Sequence, residues 1–109
     1  MAGHLLQINF KLSIPVEQYE QAIEHASHAI SGVAGLRWKI WITNAETHEA
    51  GGIYCFDSRE FADAYLSGPI VANLKSAPFA HDVSVKHFDY LENATGVTRG
   101  PVGATLQAV

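Results

Sequence analysis

A histidine and a glutamate stand side by side in a segment that is rich in aromatic residues. Imidazole is the side-chain group that titrates near neutral pH, and the carboxylate of Glu49 can fix the tautomer of the adjacent His48. Such a pair is suited to act as a general base. Adjacent residues on an extended chain point to opposite sides, and this favours the alternative that Glu49 binds hairpin backbone amides while His48 is exposed.

Four large aromatic residues are candidates for the wall of a ligand pocket: Trp38, Trp41, Tyr54 and Tyr65. The two tryptophans are three positions apart, so on a regular strand they face opposite sides. We expect one to line a pocket and the other to pack in a dimer core; the alternative is that both are structural. The two tyrosines place hydroxyl groups near a shared cavity, or have them hydrogen-bonded within the core.

Two further residues carry polar groups at positions where a ligand could be bound. Asn9 lies on the more polar face of the first predicted strand and can hydrogen-bond a ligand carbonyl or its own neighbours. His87 projects with Val83 and Val85, as a core histidine or as a second base. The doublet Gly51-Gly52 predicts a bulge or a close approach of two backbones, with an anion-binding nest as a third reading.

Metal and nucleotide sites have little support in the sequence. His25 and His28 are three residues apart on a predicted helix and can in principle share a metal ion, but they belong to its solvated flank. The chain has no further cluster of cysteine and histidine and no glycine-rich phosphate loop. We therefore expect no metal and no cofactor.

Composition excludes several classes of partner. The 109 residues suffice for one domain, and a hydrophobic fraction of 48% with 17% charged residues is typical of a folded protein. The net charge is −4 and the seven basic residues are scattered, so neither nucleic acid nor an anionic membrane is expected as a partner. We expect no membrane span or signal peptide, and a cytoplasmic protein with a single buried thiol, Cys55.

Two periodicities define the predicted secondary structure. From His4 to Leu12 apolar and more polar residues alternate, which predicts a strand. Pro15 opens a helix whose apolar residues recur at helical spacing, and Gly32 and Gly35 close it. The remaining predicted elements are strands at 36–43, 52–56 and 82–90, a helix that follows a capping box at Asp57 and ends at Gly68-Pro69, and a short helix at 70–76.

The element order β-α-β-β-α-β predicts a ferredoxin-like α+β fold with a four-stranded antiparallel sheet. Both faces of the central hairpin are apolar: Trp38, Ile40 and Ile42 lie on one side and Trp41 on the other. Strands of a sheet with one solvent-exposed face alternate apolar with polar residues, so we expect both faces of this sheet to be buried. A second copy of the chain would supply the other cover, which predicts a homodimer. We expect the domain to span residues 1–92, and residues 93–109 to be a tail that is disordered or packed on the partner subunit.

The hairpin resembles the YdhR-like family of monooxygenases. The matching positions are Gly35, Leu36, Trp38 to Trp41, His48 to Tyr54, and Phe56, with weaker matches in the flanking elements. The resemblance covers residues 5–92. It implies a dimeric α+β barrel, in which two ferredoxin-like monomers pair sheet to sheet. It also implies kinship with cofactor-free oxygenases that act on polycyclic aromatic polyketides.

These observations favour a cofactor-independent monooxygenase that acts on a phenolic or polycyclic aromatic small molecule and uses molecular oxygen. Without metal or flavin, a base must first make the substrate electron-rich, and an apolar pocket must hold the resulting anion. The expected base is His48 with Glu49, and the expected substrate-binding residues are Trp38, Trp41, Tyr54, Tyr65, Asn9 and His87. Two alternatives keep the same fold: an isomerase, cyclase or lyase on a similar ligand, and a non-catalytic small-molecule-binding or stress-related module.

Overall fold

Strand β1 (His4–Leu12) lies in the interior of the sheet, and its alternating sequence gives it one buried face. In the computed structural model, which describes residues 3–102, every second side chain of β1 is buried. The other strands are β2 (Leu36–Asn44), β3 (Glu49–Phe56) and β4 (Ala80–Phe88). Strand β1 pairs antiparallel with β3 and β4, and β2 pairs antiparallel with β3. The order across the sheet is therefore β2-β3-β1-β4.

Helices form both crossovers of the predicted topology. Helix α1 (Val16–Ser31) connects β1 to β2, and the pair α2 (Arg59–Leu66) and α3 (Pro69–Ser76) connects β3 to β4. The ferredoxin-like β-α-β-β-α-β fold is confirmed, and the second crossover is split into two helices as predicted. Within residues 3–102 no helix is long and apolar enough to cross a membrane.

The predicted start of α2 differs from the observed one. The N-cap is Ser58, and no side chain caps the helix, so the predicted capping box at Asp57 is wrong. The carboxylate of Asp57 instead accepts a 2.7 Å hydrogen bond from Nε of Arg37 on β2. A hydrogen bond between two charged groups is stronger than one from a backbone amide, so the guanidinium takes the carboxylate.

The strands also differ from prediction at their ends. Strand β3 begins at Glu49 instead of Gly52, and β4 ends at Phe88. The register of β3 against β1 runs through the glycine doublet without a shift, so no bulge forms there. The close backbone approach is present instead, because a Cβ on Gly51 would overlap the carbonyl oxygen of Ile8.

The helices cover one face of the sheet, and we call the other the open face. The helix-covered face carries most of the core, including Leu6, Ile8, Phe10, Tyr54 and Phe56. Cross-strand pairs place Lys39 and Trp41 of β2 on this face, opposite Tyr54 and Gly52. The same register leaves Trp38, Ile40 and Ile42 on the open face, so the predicted separation of the two tryptophans is confirmed.

The C-terminal segment packs against its own chain as far as the structure describes it. Residues 92–97 form helix α4, and the segment after it reaches one end of the open face. There Nε1 of Trp38 donates a 2.7 Å hydrogen bond to the carbonyl of Pro101, and Nη1 of Arg37 donates one of 2.8 Å to that of Val102. Backbone carbonyls thus hold residues 101 and 102 against β2 of their own chain. Packing of the tail on a partner subunit stays a prediction, and residues 103–109 lie outside the described part.

Candidate active site

A cavity of ≈370 Å³ lies between α1, α3 and the helix-covered face of the sheet. Small residues line it on two sides: Ala22, Ala26 and Ala29 on α1, and Gly51 and Gly52 on β3. Larger side chains at the three alanine positions or at Gly52 would fill the space between helix and sheet. The volume falls within the range of small-molecule sites, which is about 300–1,000 Å³.

Lys39 brings an amino group into this apolar space. Its side chain lines the cavity, with Nζ 3.3 Å from the ring centroid of Trp41 and 4.5 Å from that of Tyr54. Gly52 makes this position possible, because a Cβ there would overlap Cε of the lysine. None of the ion pairs found among residues 3–102 includes Lys39. The amino group therefore has aromatic faces around it and no counter-ion within the described structure.

The surroundings of Lys39 disfavour its charged form. Burial lowers the pKa of the amino group from 10.5 to about 7. Removal of an ammonium ion from water is costly, and here no carboxylate offsets the cost. Near neutral pH a large share of the molecules carries a neutral amine at this position. A neutral amine can accept a proton, which an ordinary surface lysine cannot do at this pH.

Phenol groups and Asn73 supply further polar atoms of the cavity. The hydroxyls of Tyr54 and Tyr65 are 3.0 Å apart and buried, and either one can be the donor. Burial raises the pKa of both phenols, and it raises the pKa of Tyr19, another lining residue, to about 12. These hydroxyls keep their protons at neutral pH. The cavity thus combines neutral hydrogen-bond donors with one amine.

The structure brings three of the eight predicted site residues to the cavity, namely Trp41, Tyr54 and Tyr65. The predicted catalytic pair is not among them. His48 is exposed in the β2–β3 turn with a φ of 56°, which directs the chain away from a regular strand. Glu49 accepts a 2.7 Å hydrogen bond from Oγ1 of Thr47 and lies 3.8 Å from Nζ of Lys11. Exposure of His48 agrees with the alternative reading of this pair, but Glu49 binds side chains and not the backbone amides of the hairpin; two of these amides, of Glu46 and Thr47, donate to Asn44.

The other three predicted residues also lie away from the cavity. Trp38 is on the open face, bonded to the C-terminal segment. Asn9 accepts a 2.8 Å hydrogen bond from Gln7 and borders a separate cavity of ≈200 Å³ near the end of the hairpin. His87 shares a hydrogen bond of 2.7 Å with His4 on the helix-covered face. These side chains already have protein partners.

Sequence reasoning missed Lys39, although a signal for it was present. Residues two apart on a strand share a face, so Lys39 must lie on the same side as Trp41. Tyr54, its cross-strand partner, belongs to the same face. A lysine between two aromatic residues on a strand face that helices cover is partly removed from water, and such a residue is a candidate for chemistry.

Among residues 3–102 no three histidine, cysteine, aspartate or glutamate side chains come together in a way that could hold a metal ion. The lining residues of the cavity include no histidine and no cysteine. Its possible chemistry is therefore proton transfer by the amine, hydrogen bonding by the phenols, and enclosure of a flat apolar molecule.

Comparison with known proteins gives one family and several structures of the same fold. The profile of the family described as "Putative mono-oxygenase ydhR" matches residues 5–101. No curated protein matches the chain.

Three solved structures illustrate the range of activities on this fold. A monooxygenase from the gene ActVA-Orf6 of Streptomyces coelicolor, in complex with nanaomycin D, has 15% identity and a TM-score of 0.64, covering 83% of this chain and 88% of that one. SnoaB, a cofactor-independent oxygenase from Streptomyces nogalater, has 9% identity and a TM-score of 0.63, over 81% and 92%. The heme-degrader MhuD from Mycobacterium tuberculosis has 19% identity and a TM-score of 0.60, over 80% and 95%. At these identities the likeness concerns the fold.

Proposed function

Since the chain belongs to the ydhR family of mono-oxygenases, we propose that it is a cofactor-independent monooxygenase whose substrate, a phenolic or polycyclic aromatic molecule, binds in the cavity beside Lys39. One observation carries the proposal: an apolar cavity of ≈370 Å³ encloses an amine without a counter-ion and a pair of protonated phenols. This combination matches the needs of a reaction in which an aromatic substrate must become an anion.

The chemistry requires an electron-rich substrate. Loss of a proton from a phenol or enol raises the electron density of the ring until it can pass an electron to dioxygen. In the overall reaction of an anthrone-like substrate, a ring CH₂ group and dioxygen become a carbonyl group and water. Lys39 would accept the proton, and the hydroxyl of the Tyr54–Tyr65 pair whose proton is not used between them would donate a hydrogen bond to the anion. The alanine and aromatic walls would keep water from the intermediates.

Structures of the same fold support the chemistry by analogy. The Streptomyces monooxygenase holds nanaomycin D, and SnoaB works without a cofactor. The heme-degrader of the same fold suggests another ligand, but no histidine lines the cavity of this chain to serve as an axial ligand.

We further propose that the enzyme is a cytoplasmic homodimer that pairs through its open face. Ile40 is 51% exposed and Phe88 is 47% exposed, and both project from that face with Trp38, Ile42 and Ile53 as apolar neighbours. Apolar surface of this kind gains stability when a second copy covers it. Sedimentation of the protein with Ile40→Lys tests the pairing: the variant is expected to be monomeric, and a wild-type monomer would refute the dimer.

The decisive experiment is oxygen consumption with a panel of anthrones and hydroxylated naphthalenes. Wild-type protein is expected to consume dioxygen and to place one atom of isotopically labelled oxygen in the product. Ala26→Phe should abolish most of this activity by filling the cavity, whereas His48→Ala, which changes an exposed turn, should keep it. Equal activity of wild type and Ala26→Phe would exclude the cavity as the site.

The isomerase, cyclase or lyase alternative relies on the same amine, because a base can move a proton between two carbon atoms without oxygen. Turnover under anaerobic conditions, with no gain of mass in the product, would favour it. Tight binding of the aromatic panel without any conversion would favour the non-catalytic binding module.

A further inference from the structure

Lys39 is the basic group of the cavity, and within residues 3–102 no carboxylate lines it. Titratable side chains reach the cavity from α1, β3 and α2, and they are the phenols of Tyr19, Tyr54 and Tyr65. The portions of α3 and β1 that line the cavity contribute apolar residues and Asn73. An ammonium ion formed here has therefore no anionic partner among the lining residues. The anion that would complete the pair must come from the ligand.

We propose that the cavity selects its ligand by acidity: Lys39 is the proton acceptor, and the ligand is a planar aromatic with an acidic enol or hydroxyquinone group that is bound as its anion. This inference deepens the proposed function and rests on it for the identity of the site. A ligand that enters with its proton transfers it: its O–H bond breaks and an N–H bond forms at Nζ. A ligand that is already ionised in solution enters as the anion, and Nζ then takes up its proton from the solvent. No other reactant is required, and the product is an ammonium–enolate pair.

The surroundings of the pair favour its charged form only when both partners are present. The rings of Trp41 and Tyr54 lie against Nζ and stabilise a cation through their negative faces. In the bonded pair of Tyr54 and Tyr65 one hydroxyl proton is used between the two oxygens, and the other can be donated to an anion but cannot neutralise it. Each ion alone would be a buried, uncompensated charge, which is costly in an apolar site.

The acidity of the ligand decides whether the proton moves. The pKa of Lys39 is lowered to about 7 by burial. An ordinary phenol, with a pKa of about 10 as in tyrosine, would transfer its proton to such an amine in only a small fraction of the molecules. A hydroxynaphthoquinone, whose hydroxyl is a much stronger acid, would give it up. The cavity should therefore prefer the acidic ligand to a naphthol of the same size.

Binding measurements under anaerobic conditions test this inference independently of turnover. The ligand is a hydroxynaphthoquinone, and its matched control is the naphthoquinone that lacks the hydroxyl. Above pH 7 the wild-type protein must take up a proton when it binds the anion, so its affinity should fall by up to about tenfold per pH unit. Calorimetry in buffers of different ionisation enthalpy should detect the same proton uptake.

Variants at one position separate the charge from the shape of the side chain. Lys39→Met should weaken hydroxynaphthoquinone binding by about 10- to 100-fold, the loss of one charge-assisted hydrogen bond, and should remove its pH dependence. Lys39→Arg should bind the anion with an affinity that does not change between pH 7 and 9, because arginine stays charged. The control naphthoquinone should bind wild type and both variants within about twofold.

Two outcomes would overturn the inference. One is an equal affinity of wild type and Lys39→Met for the hydroxynaphthoquinone; the other is a pH dependence that persists in Lys39→Met. Either result would leave the proposed oxygenation intact if dioxygen is still consumed. Conversely, proton-linked binding without oxygen consumption would support the selection of acidic ligands and refute the proposed monooxygenase reaction.

Discussion

Among residues 3–102, two groups of buried and half-buried polar side chains lie on the helix-covered face, and one of them lines the cavity of ≈370 Å³. The first is the cavity group of Lys39, Tyr54 and Tyr65. The second is the histidine pair of His4 and His87, in which Nε2 of His4 lies 2.7 Å from Nδ1 of His87. His4 is 4% exposed, and Nδ1 of this residue is 3.9 Å from a carboxylate oxygen of Asp89.

Each group contains a side chain with a lowered pKa, but the surroundings of the two side chains differ. Burial lowers the pKa of His4, and electrostatic interactions with His87 and Arg59 lower it further. Its ring nitrogens already face protein atoms, so the shift reflects packing. The amine of Lys39 is shifted by burial alone and faces a cavity. A perturbed pKa therefore indicates a ligand site only where the group adjoins space that a ligand can fill.

The largest expected effect is the loss of stability when the histidine pair is broken. His87→Leu leaves Nε2 of buried His4 without its partner, so the free energy of unfolding should fall by about 1–3 kcal/mol. Hydroxynaphthoquinone affinity should not change, because neither histidine lines the cavity. Denaturant unfolding measures the first quantity and calorimetry the second. A weakened affinity with unchanged stability would contradict the structural role of the histidine pair and would indicate a role in ligand binding.

A pH dependence of stability should distinguish the cavity group. A lysine of the unfolded chain keeps its proton up to about pH 10.5, whereas Lys39 releases it near pH 7 in the folded protein. Between these values the unfolded state binds more protons, so the free energy of unfolding rises with pH, by at most about 1.4 kcal/mol per unit. Denaturant unfolding from pH 7 to 9 should show a steeper rise for wild type than for Lys39→Met. Equal slopes would contradict the assignment of a buried amine.

The two tyrosines of the cavity group should behave as a unit. Tyr54→Phe or Tyr65→Phe should each lower the free energy of unfolding by about 0.5–1.5 kcal/mol, because one hydroxyl loses its partner. The double variant should cost less than the sum of the two, since it leaves no unpaired hydroxyl behind. A double-mutant cycle in denaturant measures this coupling. Additive losses would show that the hydroxyls are satisfied independently.

The smallest effect is expected in the hairpin turn. His48→Ala should change the free energy of unfolding by no more than about 0.5 kcal/mol and should leave oxygen consumption unchanged, because the side chain is exposed and away from the cavity. His48→Gly should be slightly more stable, since its φ of 56° is unfavourable for a residue with a Cβ. A large loss of activity in His48→Ala would restore the histidine as the base.

Local patterns in the sequence were sufficient to predict the strands and helices and the buried face of each. The alternation from His4 to Leu12 defined β1 and its buried side, and Pro15 and Gly68-Pro69 marked the ends of helices. These features follow from dihedral preferences and from the two-residue period of a strand, which act within a few residues. The same local signals, taken with the family resemblance, predicted the ferredoxin-like order.

The site depends on contacts between residues that are distant in the chain. The amine of Lys39 became the candidate base because α1 covers its face of β2 with small side chains, a fact that no short segment contains. The bond between His4 and His87 depends on the β1–β4 register, and the bonds of Trp38 and Arg37 to the C-terminal segment depend on backbone carbonyls, which have no sequence signature. Sequence alone thus determined which residues lie on which face of the sheet. The tertiary structure decided which of these residues line a cavity and which bind another part of the protein. The physical reason is that only the packing of helices on the sheet creates or fills the space between them.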